Sequence, residues 1–177
     1  MRQPLPVERG KPERYDTEYE RNGTSNIFMF FEPLAAQRYV TVTDQRTAVD
    51  WALQIEDLVE NKYCDARKIT LVMDNLNTHT GASLYKTFPA EKAHRLLDKL
   101  DLRYTPKHGS WLNMAEIELS ILSRQCLKPR MPNKDAMTRE VAAWQNERNQ
   151  CSKPMQWQFT TEDARIKLIK LYPTFQE

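Results

Sequence analysis

The chain has 177 residues, of which 40% are hydrophobic and 28% charged, and its formal net charge is +2. This length is sufficient for one domain with a full hydrophobic core. The net charge is too small to indicate a nucleic-acid partner by itself. No apolar run approaches the roughly 18 residues of a membrane span, no signal-peptide pattern opens the chain, and three widely spaced cysteines indicate neither a disulfide framework nor a zinc knuckle. We therefore expect a cytoplasmic protein with no membrane partner.

The first part of the chain predicts a basic arm followed by an antiparallel meander. Residues 1–14 combine prolines, a glycine and basic residues without periodicity, which is typical of an extended arm. Asn22-Gly23 is a strong hairpin-turn signal that leads into an apolar segment at 26–31. After a further turn, residues 38–43 alternate between apolar and polar as a strand does.

The rest of the chain alternates helical and strand patterns. Thr47 begins a helix, with Asp50 in a capping-box-like position and apolar residues at helical spacing. The further elements, in chain order, are a buried strand at 69–73, a short helix at 83–88, a helix from Pro89 that buries Ala93, Leu96, Leu97 and Leu100, a strand at 102–104, a helix at 113–127, a helix with Met137, Val141 and Trp144, a strand-like piece at 156–159 and a helix with Ala164, Leu168 and Leu171. This order predicts an α/β fold in which helices flank a mixed sheet.

Asp74 is the first candidate for chemistry. It follows the apolar strand at 69–73 directly and opens a polar turn that contains His79. An acid at the end of a buried strand has a rigid support, and the carboxyl ends of strands are where ligands bind in open α/β sheets. Aspartate is also a common turn residue, so Asp74 could simply begin the turn.

Two glutamates near the start of the helix at 113–127 are candidate partners of Asp74. A strand-end aspartate and a first-turn glutamate can converge on hard cations such as Mg²⁺, and two such ions can clamp the oxygens of a phosphodiester displacement. Glu116 could instead be structural, because Asn113 and Glu116 have the spacing of a capping box. Glu118 points to another side of the helix, and both glutamates lie outside its apolar stripe, so periodicity does not choose between them.

Two segments resemble the second and third acidic motifs of DDE-superfamily transposases, in particular bacterial insertion-sequence transposases of the mariner-like branch. The first is LVMDNLNTH at 71–79, a strand that ends in Asp-Asn with a histidine shortly after. The second is YTPKHGSWLNMAE at 104–116, a proline-containing loop that runs into Leu-Asn-x-x-Glu. The likeness extends through residues 14–23 and 144–149 and so covers nearly the whole chain.

The resemblance implies a ribonuclease H-like fold and the cleavage of transposon-end DNA followed by its joining to a target. It also implies Mg²⁺ or Mn²⁺ as the cofactor, with a two-metal site in the complete enzyme. By position, Asp74 corresponds to the second catalytic acid and Glu116 to the third, and both would be metal ligands. Glu118 is the runner-up for the third position.

The resemblance also implies that one acid is missing. The family's first catalytic aspartate lies on the first strand of the fold, ahead of the segment that resembles residues 9–23. Neither Asp16 nor Asp44 matches that position. We therefore expect the chain to be the carboxyl-terminal part of such a transposase, without its first strand and incomplete as an enzyme on its own.

Further residues are candidates for DNA contact. Basic side chains can bind phosphates, and an aromatic ring can stack on a base. In each case a bland interpretation stays open, because a loop histidine can be incidental, a tryptophan can fill the core and a charged run can be a solvated surface. The candidates are His79, Lys107, His108, Trp111, Arg124, Lys128 and Arg130.

These observations give one division of the chain and two function hypotheses. We predict a basic arm at 1–14, a ribonuclease H-like catalytic core at 15–130 and a C-terminal helical extension of the same domain at 131–177. The protein is either a transposase catalytic domain or a truncated, non-catalytic fragment that binds DNA or needs a separate N-terminal fragment for its first catalytic aspartate. Expected partners are transposon-end and target DNA, and either a second copy or the N-terminal fragment. The expected location is the bacterial cytoplasm, in association with the nucleoid.

Overall fold

The computed structural model describes residues 9–10, 23–105, 113–151, 153–154 and 160–167. The strands in this part of the chain are β1 (Asn26–Glu32), β2 (Gln37–Thr43), β3 (Ile69–Met73) and β4 (Leu100–Tyr104). The helices are α1 (Ala48–Asp57), α2 (Gly81–Thr87), α3 (Ala90–Asp98), α4 (Met114–Gln125), α5 (Lys134–Cys151) and α6 (Thr161–Lys167), and a π-helical turn (Leu58–Lys62) continues α1. The strand-like piece predicted at 156–159 and most of the predicted arm lie outside the described residues.

The strands pair in two ways. β1 pairs antiparallel with β2, from Asn26 opposite Thr43 to Glu32 opposite Gln37. β3 pairs in parallel with β4, and neither strand pairs with another described strand. The predicted α/β class, with a ribonuclease H-like mixture of antiparallel and parallel pairing and flanking helices, is confirmed. In the described residues the two strand pairs are separated by a cleft.

One hydrophobic core lies between α1 and the strands. Thr47 caps α1 as predicted: its hydroxyl accepts a hydrogen bond from the Asp50 N–H (3.2 Å), and its own N–H donates to the Asp50 carboxylate (2.7 Å). This start directs Trp51 and Ile55 inward. Around them, buried side chains of β3, α2, α3 and β4 form one cluster, against which Phe28 and other side chains of β1 pack.

A second core covers the opposite face of the β1–β2 pair. Because side chains alternate along a strand, Phe28 faces the first core whereas Ile27 and Met29 face the second. There they meet the buried side chains of Leu122, from α4, and Trp144, from α5. The β1–β2 pair is therefore a middle layer with helices on both sides.

The predicted boundary between α3 and β4 is wrong by two residues. Leu100 was expected on the buried face of the helix, but α3 ends at Asp98 and Leu100 is the first residue of β4. The C=O of Lys99 accepts a hydrogen bond from the Ile69 N–H at 2.8 Å. Pairing with β3 therefore begins at residues that the sequence pattern assigns to the helix.

Candidate active site

Asp74 lies where β3 ends, and hydrogen bonds to Thr105, the residue after β4, hold the chain in place there. The Thr105 N–H donates to the Met73 C=O at 2.9 Å, and the Asn75 side chain donates to the Thr105 C=O at 3.2 Å. The Asp74 side chain itself is 44% exposed. The carboxylate is thus held at a fixed strand end while it remains accessible from solvent.

His79 contacts Asp74 directly. Its Nδ1 lies 2.8 Å from Oδ1 of Asp74, and because an ionised carboxylate only accepts hydrogen bonds, Nδ1 carries the proton that is shared. The imidazole stacks on the buried Trp51 ring with 5.9 Å between centroids, and the His79 C=O accepts a hydrogen bond from the Tyr104 hydroxyl at 2.9 Å. His79 therefore fixes one oxygen of Asp74.

Glu116 lies in the first turn of α4 with its side chain exposed. Asn113 caps this helix by accepting a hydrogen bond from the Ala115 N–H at 3.1 Å. The Glu116 carboxylate makes no hydrogen bond or ion pair within the described residues, so the reciprocal half of a capping box is not formed there. The structural interpretation of Glu116 as a cap residue is therefore not supported.

Glu118 has the opposite environment, and the prediction that it lies outside the buried face of the helix is wrong. Its side chain is 0% exposed. Arg38, from β2, donates to both of its oxygens at 2.6 and 3.0 Å, and Arg148, from α5, lies 3.4 Å from each. Burial opposes the ionisation of Glu118, but the hydrogen bonds from these arginines outweigh it and hold the pKa below its usual value. Both carboxylate oxygens of Glu118 therefore accept hydrogen bonds from arginine side chains.

One cleft connects the two exposed acids. A cavity of about 970 Å³ between β1 and β3 has Asp74, His79, Asn113 and Glu116 among its lining residues. The two candidate acids therefore face a common space, although they are 42 positions apart in the chain (116 − 74).

The described basic candidates lie on α4 or shortly after it. Arg124 lies on an exposed side of α4, where it lines a shallow depression together with Glu116, Ile117 and Ser120. Lys128 and Arg130 are exposed after the end of α4. The remaining candidates, Lys107, His108 and Trp111, lie outside the described residues.

A family model described as DDE superfamily endonuclease matches residues 1–138. The chain belongs to the DDE superfamily endonucleases. The resemblance seen in the acidic motifs is thereby confirmed at the level of the superfamily, and with it a nuclease- or transposase-type function on DNA. No curated protein and no solved structure gave a significant match to this DDE endonuclease. Within the described ranges, no helix is long and apolar enough to cross a membrane.

DDE-type domains use divalent metal ions, and the chemistry of the two acids fits such an ion. Asp74 and Glu116 offer carboxylate oxygens, which Mg²⁺ and Mn²⁺ prefer, and both side chains reach solvent. Across the part of the chain that the structure describes, no three or more His, Cys, Asp or Glu side chains are grouped so that they could hold a metal. The described residues alone therefore do not form a metal site of three or more such ligands.

Two supporting residues were not recognised from the sequence. Trp51 was predicted on a buried helical face, but its stacking on His79 depends on a contact between segments far apart in the chain. Arg38 was expected only as part of a strand, yet its side chain is 2% exposed and neutralises Glu118. The sequence did offer one signal, which is the presence of a charged residue, Arg38, within a predicted strand. In this DDE fold that residue is buried.

Proposed function

We propose that the protein is a transposase of the mariner-like branch that cleaves and joins DNA, with Asp74 and Glu116 as the metal ligands. The observation that supports this proposal is that these two acids line one cleft, while the neighbouring Glu118 is ion-paired in the core. A bound Mg²⁺ or Mn²⁺ supplies Lewis-acid stabilisation of the charge that develops on a phosphodiester during displacement.

The residues themselves would act mainly by holding oxygen ligands in place. His79 takes Oδ1 of Asp74, which leaves Oδ2 without a hydrogen bond from the described residues and so able to bind a ligand. The stacking of His79 on Trp51 resists rotation of the imidazole and hence of the carboxylate. Glu116 is held by its helix rather than by side-chain contacts, since Asn113 fixes the first turn of α4.

Basic residues near the cleft would bind the DNA backbone. Arg124 shares a surface depression with Glu116, and Lys128 and Arg130 follow within six residues in the chain. Contacts of this kind neutralise phosphates and release counterions, so affinity should fall steeply with salt. Lys107, His108 and Trp111, between the two acidic motifs, are further candidates for this interface. Such a protein would be found with DNA in the bacterial nucleoid.

A second candidate is a fragment that folds but needs a third carboxylate from elsewhere. It is favoured by the ligand count: of the three acids that line the cleft within the described residues, Glu32 accepts a hydrogen bond from the Tyr63 hydroxyl, and no group of three is placed to hold a metal. A separate N-terminal transposase fragment, or a second copy of the chain, would then complete the two-metal site.

Metal binding and DNA cleavage test the two candidates separately. Titration calorimetry with Mn²⁺ should show binding that Asp74→Asn and Glu116→Gln each weaken by about tenfold or more, whereas Glu91→Gln, an exposed acid on α3, leaves it unchanged. Binding that is unaffected by both variants would rule out this site. If the intact chain also nicks supercoiled plasmid with Mn²⁺, the first candidate holds. If it binds Mn²⁺ but nicks only after an upstream transposase segment is added, the second holds.

A further inference from the structure

Tyr104 stands beside the strand end that carries Asp74. It is the last residue of β4, and in the parallel ladder it is the register partner of Met73, the last residue of β3. Neighbouring strands of a sheet lie about 4.8 Å apart. The main chain of Tyr104 is therefore a direct neighbour of the point where β3 ends and Asp74 begins.

The Tyr104 side chain is held at both of its ends. Its hydroxyl donates a hydrogen bond to the His79 C=O at 2.9 Å, and the His79 imidazole lies 2.8 Å from the Asp74 carboxylate. At the main-chain end, the next residue, Thr105, donates to the Met73 C=O at 2.9 Å. A ring that is already fixed in place loses little conformational entropy when a ligand covers it.

Tyr104 is nevertheless accessible from solvent. Side chains alternate along a strand, so Tyr104 is on the same side of β4 as Leu100 and Leu102, which contribute to the first core. Tyr104 follows them at the end of the strand and is 41% exposed, and the side chain of the neighbouring Asp74 is 44% exposed. An aromatic ring and a candidate metal ligand are thus both accessible at one strand end.

The hydrogen bond to His79 explains the hydroxyl of Tyr104 but not its exposed ring. A single exposed aromatic side chain is common on protein surfaces and needs no explanation by itself. Tyr85, on α2, is such a residue and is 46% exposed. Tyr104 differs from it because its ring is anchored and because it adjoins Asp74, where the proposed function places a phosphodiester.

We propose that the Tyr104 ring stacks on a nucleobase of the DNA strand whose phosphodiester is held at Asp74. The inference rests on the proposed function and adds to it a contact with a base. Stacking of a base on an aromatic side chain strengthens binding by about tenfold or more, and it tolerates any sequence because every base has a π-face.

Stacking of this kind also selects a class of substrate. Within a continuous duplex, both faces of each base are covered by the neighbouring bases, so no face is open to a side chain. A base in a single strand, at a strand end or beside a nick has a free face. The site should therefore prefer DNA in which the base next to the bound phosphate is unstacked on one side.

Fluorescence anisotropy with two labelled single strands tests the contact. One is a run of deoxyadenosines, and the other has the same length but consists of abasic deoxyribose phosphates, which keep the charge and remove every base. Tyr104→Leu should bind the first strand about tenfold more weakly than the wild type and the second equally well. Tyr104→Phe, which keeps the ring, and the matched control Tyr85→Leu should bind both strands like the wild type.

These variants distinguish stacking from a purely structural role. If Tyr104 acted only through its hydrogen bond to His79, Tyr104→Phe would lose as much affinity as Tyr104→Leu, and the proposal would be overturned. It would also be overturned if Tyr104→Leu lost equal affinity for both strands, since a contact with a base cannot matter where no base is present. A wild type that binds neither strand would overturn the proposed function together with this inference.

The choice of substrate has its own test. A DNA dumbbell, which is a duplex closed by a loop at each end and fully paired between them, offers few free base faces. Tyr104→Leu should therefore lose much less affinity for the dumbbell than for the run of deoxyadenosines. An equal loss on the two DNAs would overturn the assignment of an unstacked base.

A measurement on the wild type covers the case in which Tyr104→Leu fails to fold. The ring signals of Tyr104 in proton NMR can be assigned by their absence from the spectrum of Tyr104→Phe. They should move upfield when the deoxyadenosine strand is added, because a stacked base shields the ring protons, and should stay in place with the abasic strand. Signals that respond to neither strand, or equally to both, would overturn the proposal.

Discussion

Glu116 and Glu118 lie two residues apart on α4, yet their surroundings differ completely. Glu118 is enclosed in the core, where Arg38 and Arg148 neutralise it. Glu116 is exposed, has no partner among the described residues and lines the same cleft as Asp74. A step of two residues turns a helical side chain through more than half a revolution, which is enough to exchange the core for solvent.

The comparison separates an acid that is part of the fold from an acid that is available to a ligand. The ion pair of Glu118 joins β2, α4 and α5, and its oxygens are saturated by donors that cannot leave without exposing a buried charge. An unpaired carboxylate in a cleft costs the fold little and retains its affinity for cations. We expect stability to depend on Glu118 and metal affinity on Glu116.

The largest expected effect is on stability. Glu118→Gln should lower the free energy of unfolding by about 3–5 kcal/mol, because Arg38 would be left buried without its counter-charge. Glu116→Gln should change it by about 0.5 kcal/mol or less, as is usual for exposed positions. Urea denaturation followed by circular dichroism measures both. Similar losses for the two variants would break the comparison.

The effect of Glu118 should also depend on pH. In the unfolded chain a glutamate titrates near about 4.3, whereas in the folded protein its pKa is lower. The stability that ionised Glu118 contributes is therefore complete above the unfolded pKa and is lost as the pH falls through the folded pKa. The difference in the free energy of unfolding between the wild type and Glu118→Gln should therefore become smaller in acid. Urea midpoints of both proteins at neutral pH and at about pH 3 test this. An equal difference at the two pH values would exclude ionised Glu118 as its cause.

An effect of intermediate size is expected from the support of Asp74. His79→Phe keeps an aromatic ring against Trp51 but removes the hydrogen bond to the carboxylate. If Asp74 binds metal as proposed, Mn²⁺ affinity should fall by about tenfold, since outer-shell partners of ligands have effects of this order. Tyr104→Phe, which removes only the hydrogen bond to the His79 C=O, should have a smaller effect. Calorimetric titration of both variants ranks them, and equal affinities would remove the positioning role of His79.

The protected edge of β2 should show a moderate loss of stability. Asn149→Ala removes two hydrogen bonds to the main chain of Arg38 and should cost about 1–2 kcal/mol. Asn146→Ala, at an exposed position of the same helix, serves as the control and should be nearly neutral. Hydrogen exchange at the Arg38 amide provides a local measurement, and unchanged protection in Asn149→Ala would contradict the assignment.

The smallest effect concerns an exposed ion pair and sharpens the contrast with Glu118. Arg95, on α3, donates to Glu60 at 2.7 Å, and this hydrogen bond lowers the pKa of Glu60. Because the pair is solvated, a double-mutant cycle with Arg95→Ala and Glu60→Gln should give a coupling of about 0.5 kcal/mol or less, and salt should reduce it further. A coupling as large as that of Glu118 with Arg38 would mean that burial is not what distinguishes the two pairs.

Local signals in the sequence were sufficient for most elements. The capping of α1 by Thr47 and Asp50, the β1–β2 meander and the apolar run of β3 depend on neighbours in the chain and were predicted correctly. The position of Asp74 at a strand end followed from the same signals. Asp74 and Glu116 line the same cleft, which is consistent with the motif resemblance. Periodicity alone gave no reason to connect these two acids.

Long-range partners could not be predicted. Arg38 and Glu118 are 80 positions apart, and nothing in the helical pattern of α4 indicates that a polar residue would find a buried arginine. Leu100 fits both a helix and a strand, and the hydrogen bond between Ile69 and Lys99 decides between them. In both cases the outcome depends on tertiary contacts rather than on intrinsic preference.

The contacts of α5 bear on where a fragment of this protein can be cut. The family match ends at residue 138, within the second turn of α5. Trp144, Arg148 and Asn149 lie beyond that point, and they close the second core, neutralise Glu118 and cover the edge of β2. A truncation at the end of the family match would therefore remove three residues that contact the β1–β2 layer or the Glu118 carboxylate. Tertiary contacts of the β1–β2 layer thus continue to Asn149, eleven positions past the end of the family match (149 − 138).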